Sequence, residues 1–288
     1  MTAASVTAFC PGHISGYFRK EDGSCPATTG SIGAGIVISE GVTATVKAAT
    51  RPSVIVRSQS SDGTVQEISR ESPPLTHALD QLGVTIAVET VCRLPIGAGF
   101  GLSAAALLSM LTAADRLMEL GLGADEIAER AHETEVLFRT GLGDVAACQG
   151  GGRVLRTGPG IHGTILRSFD LSGPICAVSF GPIRTPDVLG SPVRMAQVAA
   201  AFPGRQPKTV TEFFACCREF SAASGLETAA VRRVFAECDR RSVPAAMTML
   251  GDGVFACGER AGTVLRSFGE VYTMGMAKAG VHIVEGAV

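Results

Sequence analysis

The run Pro95-Ile96-Gly97-Ala98-Gly99-Phe100-Gly101-Leu102-Ser103-Ala104-Ala105 constrains the fold most strongly, because a glycine-rich loop opens there directly into an apolar helix. Glycine lets backbone N–H groups approach a phosphate closely, and a helix N-terminus adds partial positive charge. The run therefore predicts a phosphate-binding loop, and a tight strand-to-helix turn within the core is the alternative. It lacks the Gly-Lys-Ser/Thr ending of a P-loop.

The same run contains Gly-x-Gly-x-Gly, a pattern close to the one that a dinucleotide-dependent oxidoreductase uses. That fingerprint also requires an acidic residue at the end of the following strand, about 20 residues further on, to bind the ribose. The sequence has no such residue in that place, so it disfavours the oxidoreductase hypothesis.

The length of 288 residues exceeds what one hydrophobic core usually organises, so we expect two closely packed domains. A hydrophobic fraction of 46% against 18% charged residues predicts a compact globular protein. A turn between Leu171 and Pro174 divides the chain near residue 170, into domains 1–170 and 171–288. The formal net charge of -2, with dispersed Lys and Arg residues, predicts no nucleic-acid partner.

The nine cysteines predict reduced, mostly buried thiols of a cytoplasmic protein, because their number is odd and no signal peptide or Cys-x-x-Cys pair accompanies them. The candidate membrane span, Pro95 to Ala114, has a glycine-rich first half, and its apolar helix is too short for a bilayer. We therefore expect a buried helix and no membrane partner. The sequence leaves open whether the protein forms a homodimer.

Short runs rich in β-branched residues dominate the first hundred residues and predict strands joined by glycine turns. A buried helix is expected from an N-cap at Ser103 to a stop at Gly121, followed by a second helix over 125–138. The predicted strands are Val6–Cys10, Ala34–Ile38, Thr43–Ala48, Ser53–Ser58 and Thr85–Thr90.

The second half alternates helical and strand-like patterns, which suits a small α+β sandwich. The prolines between Thr185 and Pro207 predict an exposed connection. The fold class that follows is α+β, with two domains. The predicted strands are Ile175–Ile183, Gly253–Gly258 and Val281–Glu285, and the predicted helices are Thr209–Ser221 and Glu227–Arg240.

The second predicted helix carries a carboxylate on its apolar side. Residues advance about 100° each around a helix, so Glu135 projects from the same side as Ala131, whereas Glu133 lies on the solvated side. A carboxylate that faces a core is costly unless it is paired or binds a cation. Glu135 is therefore a candidate magnesium ligand, and a salt bridge with Arg139 is the alternative. His132, at the edge of the same side, is a weaker candidate site residue.

Asp144 ends a glycine-rich turn, Thr140-Gly141-Leu142-Gly143-Asp144, and lies seven residues before Gly151. A carboxylate in such a turn is suited to accept a proton from an attacking hydroxyl group. A turn-forming aspartate without a chemical role is the alternative.

These segments resemble the motifs of the GHMP kinase superfamily. The glycine-rich loop resembles the second motif, Pro-x-x-x-Gly-Leu-Gly-Ser-Ser-Ala, with Phe100 for the leucine, Leu102 for the first serine and Ser103 as the second. Glu135, Asp144 and the following glycine pair occur in the order of the superfamily. The run from 249 to 256 resembles the third motif, for which a helix-turn-strand corner is the alternative.

The N-terminal segment Cys10-Pro11-Gly12-His13-Ile14-Ser15-Gly16-Tyr17-Phe18 resembles the first motif, Pro-Gly-Arg/Lys, with His13 in place of the cation. No Gly-Glu-His follows, which disfavours sugar and mevalonate kinases. This version is similar to the archaeal pantoate kinases. The same family is indicated by Ser31-Ile32-Gly33-Ala34-Gly35, by His132 with Glu135, and by Arg156-Thr157-Gly158-Pro159-Gly160.

The resemblance implies a GHMP-kinase-like two-domain fold, with an N-terminal S5-like α/β domain that binds ATP and substrate and a C-terminal ferredoxin-like α+β domain. It implies transfer of the γ-phosphoryl group of ATP, with Mg²⁺, to (R)-pantoate, which gives 4-phosphopantoate for coenzyme A synthesis in the cytoplasm. A homoserine- or mevalonate-type kinase and a catalytically silent metabolite-binding homologue are the alternatives.

The resemblance also implies roles for individual residues. Asp144 is the expected general base or orienting group, and Ser103 and Glu135 are the expected magnesium ligands. Arg153 is the alternative to Arg156 as the cation for the substrate carboxylate. The expected substrate-binding residues are His13, Ser31, His132 and Arg156, and the expected ATP-binding residues are Pro95, Gly97, Ala98, Gly99, Gly101, Leu102, Ser103 and Ala104.

Overall fold

The computed structural model describes residues 4–287, which form two sheets covered by helices. In chain order the elements are β1 (Ser5–Glu21), β2 (Gly30–Ala48), β3 (Ser53–Gln59), β4 (Val65–Ser69), α1 (Pro73–Leu82), β5 (Ile86–Cys92), α2 (Leu102–Met118), α3 (Ala124–Phe138), α4 (Asp144–Cys148), β6 (Arg153–Arg156), β7 (Ile165–Ser168), β8 (Ile175–Pro182), α5 (Thr185–Leu189), α6 (Pro192–Ala200), α7 (Val210–Ser224), α8 (Ala229–Arg240), β9 (Ala245–Met247), β10 (Gly251–Cys257), α9 (Ala261–Leu265), β11 (Tyr272–Met274) and β12 (His282–Ala287). The predicted α+β class is confirmed.

The first sheet has the strand order β12-β1-β2-β5-β3-β4. Two further strands extend it, because β6 pairs with the first half of β2 and β7 pairs with β6. β2 pairs with β5 through Val42–Ala48 and with β6 through Gly33–Ile36, so its partner changes midway. The pairing of β1 with β2 shifts register at Pro11/Gly12 and at Ser15/Tyr17. Such irregularities bend a strand and redirect side chains. They bracket His13 within β1.

The second sheet is antiparallel, with the order β11-β8-β10-β9. Along the chain its elements run β8, helices α5 to α8, β9, β10, α9 and β11. This is a β-α-β-β-α-β arrangement, which is typical of ferredoxin-like folds. The predicted ferredoxin-like second half is therefore confirmed.

A continuous cluster of apolar side chains runs through both sheets and the helices between them. Leu107, Leu108 and Leu111 of α2 are all buried, which confirms the prediction of a buried helix. Between residues 4 and 287, no helix combines the length and the apolar character that a membrane crossing requires.

The predicted strands of the first hundred residues are confirmed, although Ala34–Ile38 and Thr43–Ala48 belong to one long strand, β2. The predicted N-cap at Ser103 is wrong. Gly101 is the N-cap, with φ 63°, and Ser103 lies inside the first turn of α2. The left-handed backbone that turns the loop into the helix requires glycine at that position.

The segment between Thr185 and Pro207, predicted as an exposed connection, is largely exposed but also contains α5 and α6, whose Val188 and Val198 are buried. Proline is well tolerated in the first turn of a helix, and both helices carry one there. Two of the four prolines in this segment, Pro186 and Pro192, therefore mark helix starts. The segment between β3 and β5, for which nothing is predicted, contains β4 and α1.

The predicted boundary near residue 170 falls between β7 of the first sheet and β8 of the second sheet. The last strand of the chain, however, belongs to the first sheet. β12 pairs antiparallel with β1, next to the N-terminus. The placement of the final strand in the domain 171–288 is therefore corrected, because hydrogen bonding assigns it to the first sheet. The division into two domains otherwise remains a prediction.

The glycine-rich loop before α2 packs directly against the start of β10. A Cβ atom at Gly251 would overlap the carbonyl group of Ala98, so the two backbones approach more closely than any other residue permits. Gly251→Ala is expected to lower the thermal unfolding midpoint by a few degrees, since overpacking costs about 1–3 kcal/mol. Gly204→Ala is the matched control, because a Cβ there meets nothing within 4 Å. Equal midpoints for the two variants, measured by circular dichroism, would contradict the tight contact.

Candidate active site

The loop from Pro95 to Gly101 has the backbone geometry of an anion site. Gly97, Gly99 and Gly101 have φ values of 80°, 84° and 63°, in the left-handed region that favours glycine. The loop leads directly into α2, whose first N–H groups have no partner within the helix. A phosphate at this point would receive backbone hydrogen bonds and the favourable end of the helix dipole.

Two other segments hold this loop in place. The N–H of His13 on β1 donates to the carbonyl of Phe100, at 2.9 Å. The N–H of Met249 donates to the carbonyl of Ser15, at 3.2 Å, so the turn before β10 is also attached to β1. The three motifs of the sequence, far apart along the chain, therefore meet around one cavity.

The cavity has a volume of about 580 Å³ and two chemically different ends. Its apolar end lies between the β3–β4 hairpin and α1, its middle is the glycine-rich loop, and its polar end contains Ser31, Thr140 and Asp144. Residues 182–186 and Leu189 form part of its cover. The apolar end is lined by Val42, Val56, Ile68, Pro73, Pro74, Leu75 and Ile96, among others.

Asp144 and His13 form a hydrogen-bonded pair at the polar end, with 2.7 Å between Asp144 Oδ1 and His13 Nδ1. Burial lowers the pKa of His13, although the hydrogen bond to Asp144 opposes this. Burial acts to raise the pKa of Asp144, but the hydrogen bond from His13 and the charge of Arg156 outweigh it and lower the pKa. A neutral imidazole therefore donates from Nδ1 to an ionised carboxylate, which is 21% exposed and faces the cavity.

Glu135, on α3, does not line the cavity and is 1% exposed. Its Oε1 accepts a hydrogen bond from Thr140 Oγ1 at 3.3 Å, and its Oε2 has no partner among the described residues. Burial and the negative charge of Asp144 raise the pKa of Glu135 to about 8, against opposing hydrogen bonds from Ser103 and Thr140. The alternative of a salt bridge with Arg139 finds no support in the ion pairs of residues 4–287.

Arg156, on β6, is 2% exposed and lies beside Ser31. Its Nη2 is 3.5 Å from Ser31 Oγ, and its Nε and Nη1 have no partner within the described part of the chain. A Cβ atom at Gly143 would lie 2.6 Å from Ser31 Oγ and 2.7 Å from Arg156 Nε, so both groups face the residue before Asp144. A buried guanidinium with free donors is a strong binding group for a carboxylate.

Arg153, the alternative cation, points away from this site. Its guanidinium binds both carboxylate oxygens of Asp170, at 3.1 and 2.6 Å. His132 Nε2 lies 2.8 Å from the carbonyl oxygen of Thr29, and its buried Nδ1 has no partner among the described residues. Burial lowers the pKa of His132.

The structure places some predicted site residues on the cavity wall and others behind it. On the wall lie Ser31, Gly97, Gly99, Gly101, Leu102, Ser103 and Asp144. Not among the lining residues are Pro95, Ala98, Ala104, His13, His132, Glu135 and Arg156. Of these, His13 contacts Asp144, and Arg156 lies beside Ser31. The substrate and nucleotide roles of all these residues remain predictions.

Sequence reasoning missed the apolar end of the cavity and the covering segment that begins at Pro182. The sequence does contain a signal for the apolar end of the cavity, because Ser72-Pro73-Pro74 is a favourable start for a helix. The second depends on contacts between distant parts of the chain, which no local pattern shows.

The donors beside Asp144 fit magnesium. Glu135 and Ser103 offer oxygen atoms, the buried Oε2 of Glu135 lacks a partner, and a bound cation would favour its ionised form. In residues 4–287 no group of three or more His, Cys, Asp or Glu side chains is placed to hold a metal ion. This set suits magnesium, which usually takes one or two carboxylates together with substrate phosphates.

The raised pKa of Glu135 predicts a pH-dependent stability in the absence of magnesium. Between pH 5 and 8 the folded protein retains a proton that the unfolded chain has lost, so stability falls as pH rises through this range. The unfolding midpoint in chelator should therefore decrease towards pH 8, relative to Glu135→Gln, by a few degrees. Glu133→Gln, on the exposed side of α3, should behave as the unmodified protein. An identical pH dependence in Glu135→Gln would contradict the assignment.

The fold and the site together define the class of GHMP kinases. The GHMP kinases N terminal domain matches residues 64–152. The chain is 45% identical to a pantoate kinase of Methanospirillum hungatei over 99% of both chains, and 30% identical to one of Thermococcus kodakarensis over 87% of both. The chain belongs to the pantoate kinase family. Kinases of this class use ATP as the phosphate donor.

Solved structures agree with this fold. A phosphotransferase related to the CoA biosynthesis pathway superposes with a TM-score of 0.80 at 23% identity, covering 97% of this chain and 98% of that one. Mevalonate-3-kinase from Thermoplasma acidophilum superposes with a TM-score of 0.68 at 15% identity, covering 99% of this chain and 100% of that one. At these identities the likeness concerns the fold alone.

Proposed function

We propose that the protein transfers the γ-phosphoryl group of ATP to the primary hydroxyl of (R)-pantoate and releases 4-phosphopantoate and ADP. The observation that carries this proposal is Arg156, a buried cation with free donors next to Ser31 and Asp144. Such a group is well suited to bind an alcohol substrate that also bears a carboxylate. Pantoate is both a primary alcohol and a carboxylate.

In this proposal the nucleotide occupies the length of the cavity. The apolar end between β3–β4 and α1 receives the base, and the glycine-rich loop binds the phosphates through its backbone N–H groups. The γ-phosphate then lies towards the polar end, near Asp144. A magnesium ion held by Glu135 and Ser103 would neutralise charge on the phosphates during transfer.

Asp144 is the group that accepts the proton of the substrate hydroxyl as its oxygen forms the new bond to phosphorus. The bond between the γ-phosphorus and the bridging oxygen breaks, and ADP leaves. His13 fixes the orientation of the carboxylate through the 2.7 Å hydrogen bond and leaves it ionised. His13 is thus a positioning residue in this mechanism.

The remaining polar and apolar groups suit the shape of pantoate. Arg156 and Ser31 bind the carboxylate, and the buried side chains Phe18, Leu142 and Leu189 face the same cavity. Apolar side chains suit the carbon of pantoate that bears two methyl groups. They suit the ammonium group of homoserine poorly, because a charge is costly in apolar surroundings.

The proposal is tested by a coupled assay of ADP release with Mg²⁺·ATP and, in turn, pantoate, homoserine and mevalonate. Pantoate should be phosphorylated with the highest kcat/KM. Asp144→Asn serves as the control for contaminating kinases and should lose turnover by about 10²-fold or more. Preference for homoserine or mevalonate would overturn the substrate. No turnover of any alcohol, together with ligand binding, would favour the silent homologue.

The role of Arg156 predicts a selective change in substrate affinity. Loss of a charged hydrogen-bond donor costs about 1.5–3 kcal/mol, so Arg156→Ala should raise the KM for pantoate about 10- to 150-fold. Because the carboxylate contact exists equally in the ground and transition states, kcat and the KM for ATP should change little. Steady-state kinetics with each substrate varied in turn measure this.

Arg153→Ala provides the comparison, since Arg153 is equally buried but binds Asp170. It should lower the unfolding midpoint and leave the KM for pantoate near normal. If Arg153→Ala raises that KM and Arg156→Ala does not, the carboxylate anchor is misassigned.

A further inference from the structure

The cavity that would bind a triphosphate is poor in positive charge. Of the described residues that line it, Arg184 is the single one with a cationic side chain, whereas Glu71 and Asp144 are acidic. The first motif contributes no cation to the wall, because His13 stands in its place and donates to Asp144. Bound ATP therefore has one protein cation available along the wall, apart from the backbone N–H groups.

Arg184 lies beside the part of the cavity where phosphates are expected. The N–H of Ile183 donates to the carbonyl of Gly97 at 3.2 Å. A Cβ atom at Gly97 would lie 2.9 Å from Pro182 Cβ, so the end of β8 packs on the phosphate loop. Arg184 is the next residue after this contact. Its backbone position is therefore fixed relative to the loop.

The side chain of Arg184 is free to change partners. It is 80% exposed, and its ion pair with Asp187 has a separation of 3.7 Å between Nε and Oδ2. Exposed pairs of this kind contribute little to stability. An anion in the cavity would compete well for the guanidinium, since phosphate offers charged acceptors suited to its planar donors.

The segment that follows Arg184 is anchored at its far end. Leu189 lines the cavity, and the ring of Phe202, just beyond α6, contacts Tyr17 of β1 with 5.6 Å between centroids. The covering segment, residues 182–202, is therefore attached to the phosphate loop at one end and to β1 at the other, and Arg184 lies near its start. Arg184 itself lines the cavity at this end of the segment.

We propose that Arg184 binds the phosphates of the nucleotide and supplies the positive charge that the first motif lacks. This inference rests on the proposed use of ATP but not on the identity of the alcohol. Under this proposal, the start of the covering segment contacts ATP directly. Asp187, its present partner, loses only a weak exposed pair.

The test uses the full-length protein and the variants Arg184→Ala, Arg184→Gln and Arg184→Lys. The probe is the β,γ-imido analogue of ATP with Mg²⁺, measured by titration calorimetry, alongside turnover in the ADP-release assay. Arg184→Ala and Arg184→Gln should weaken binding of the analogue about tenfold, and Arg184→Lys should recover most of this loss because it restores the charge. Arg194→Ala, exposed on α6 and away from the cavity, should bind as the unmodified protein.

The outcomes separate the two proposals. If the unmodified protein binds the analogue but Arg184→Ala and Arg184→Gln bind it equally well, the inference about Arg184 is overturned. If Gln restores binding as well as Lys does, the side chain acts by packing and its charge is not involved, which also overturns it. If the unmodified protein neither binds the analogue nor phosphorylates any of the three alcohols, the proposed function itself fails.

Discussion

Three buried ionisable side chains and the partly exposed Asp144 lie together at the polar end of the cavity, and their charges must balance in surroundings that solvate ions poorly. They are His13, Glu135, Asp144 and Arg156. Within this cluster Arg156 compensates Asp144, His13 is neutral, and the pKa of Glu135 is raised to about 8, so the cluster carries little net charge at neutral pH. Each proposed ligand changes this balance. A substrate carboxylate takes up the charge of Arg156, and a divalent cation favours the ionised form of Glu135.

Two strands of the first sheet and two helices bring these four side chains together. Arg156 comes from β6 and His13 from β1, both strands of the first sheet, whereas Glu135 lies on α3 and Asp144 begins α4. The irregular pairing of β1 with β2 around His13 places it opposite Asp144, 131 residues away. The second sheet contributes through backbone contacts, since the turn before β10 and the end of β8 pack on the phosphate loop. It closes the cavity without adding to the buried charge.

Local patterns in the sequence identified the parts of the site that follow from periodicity and backbone chemistry. The position of Glu135 on the buried side of α3 follows from helical spacing, and the glycine-rich loop follows from its composition and the apolar helix after it. The same reasoning misplaced the start of α2 at Ser103, because a serine N-cap competes with a left-handed glycine and only the three-dimensional turn decides between them. It also found nothing in the region of β4 and α1, where the apolar end of the cavity lies.

Interactions across long separations could not be predicted in this way. The choice between Arg153 and Arg156 depends on which of two cations meets Asp170, and the two are three residues apart on one strand, on opposite faces. The covering segment after β8 was expected to be an exposed connection, and its two helices were not predicted, since prolines start helices as readily as they end them. Arg184 has no local signature at all, because an exposed arginine is ordinary until the loop it faces is known.

The substitution of His13 for the cation of the first motif follows from the same charge balance. A lysine or arginine at this position would place a second full positive charge next to Arg156, which already compensates Asp144. Two like charges in a buried site repel each other strongly. A neutral imidazole keeps the hydrogen bond that orients Asp144 and adds no charge, which leaves Arg156 free to bind an anion. In this chain, the neutral donor at position 13 therefore avoids a second buried cation beside Arg156.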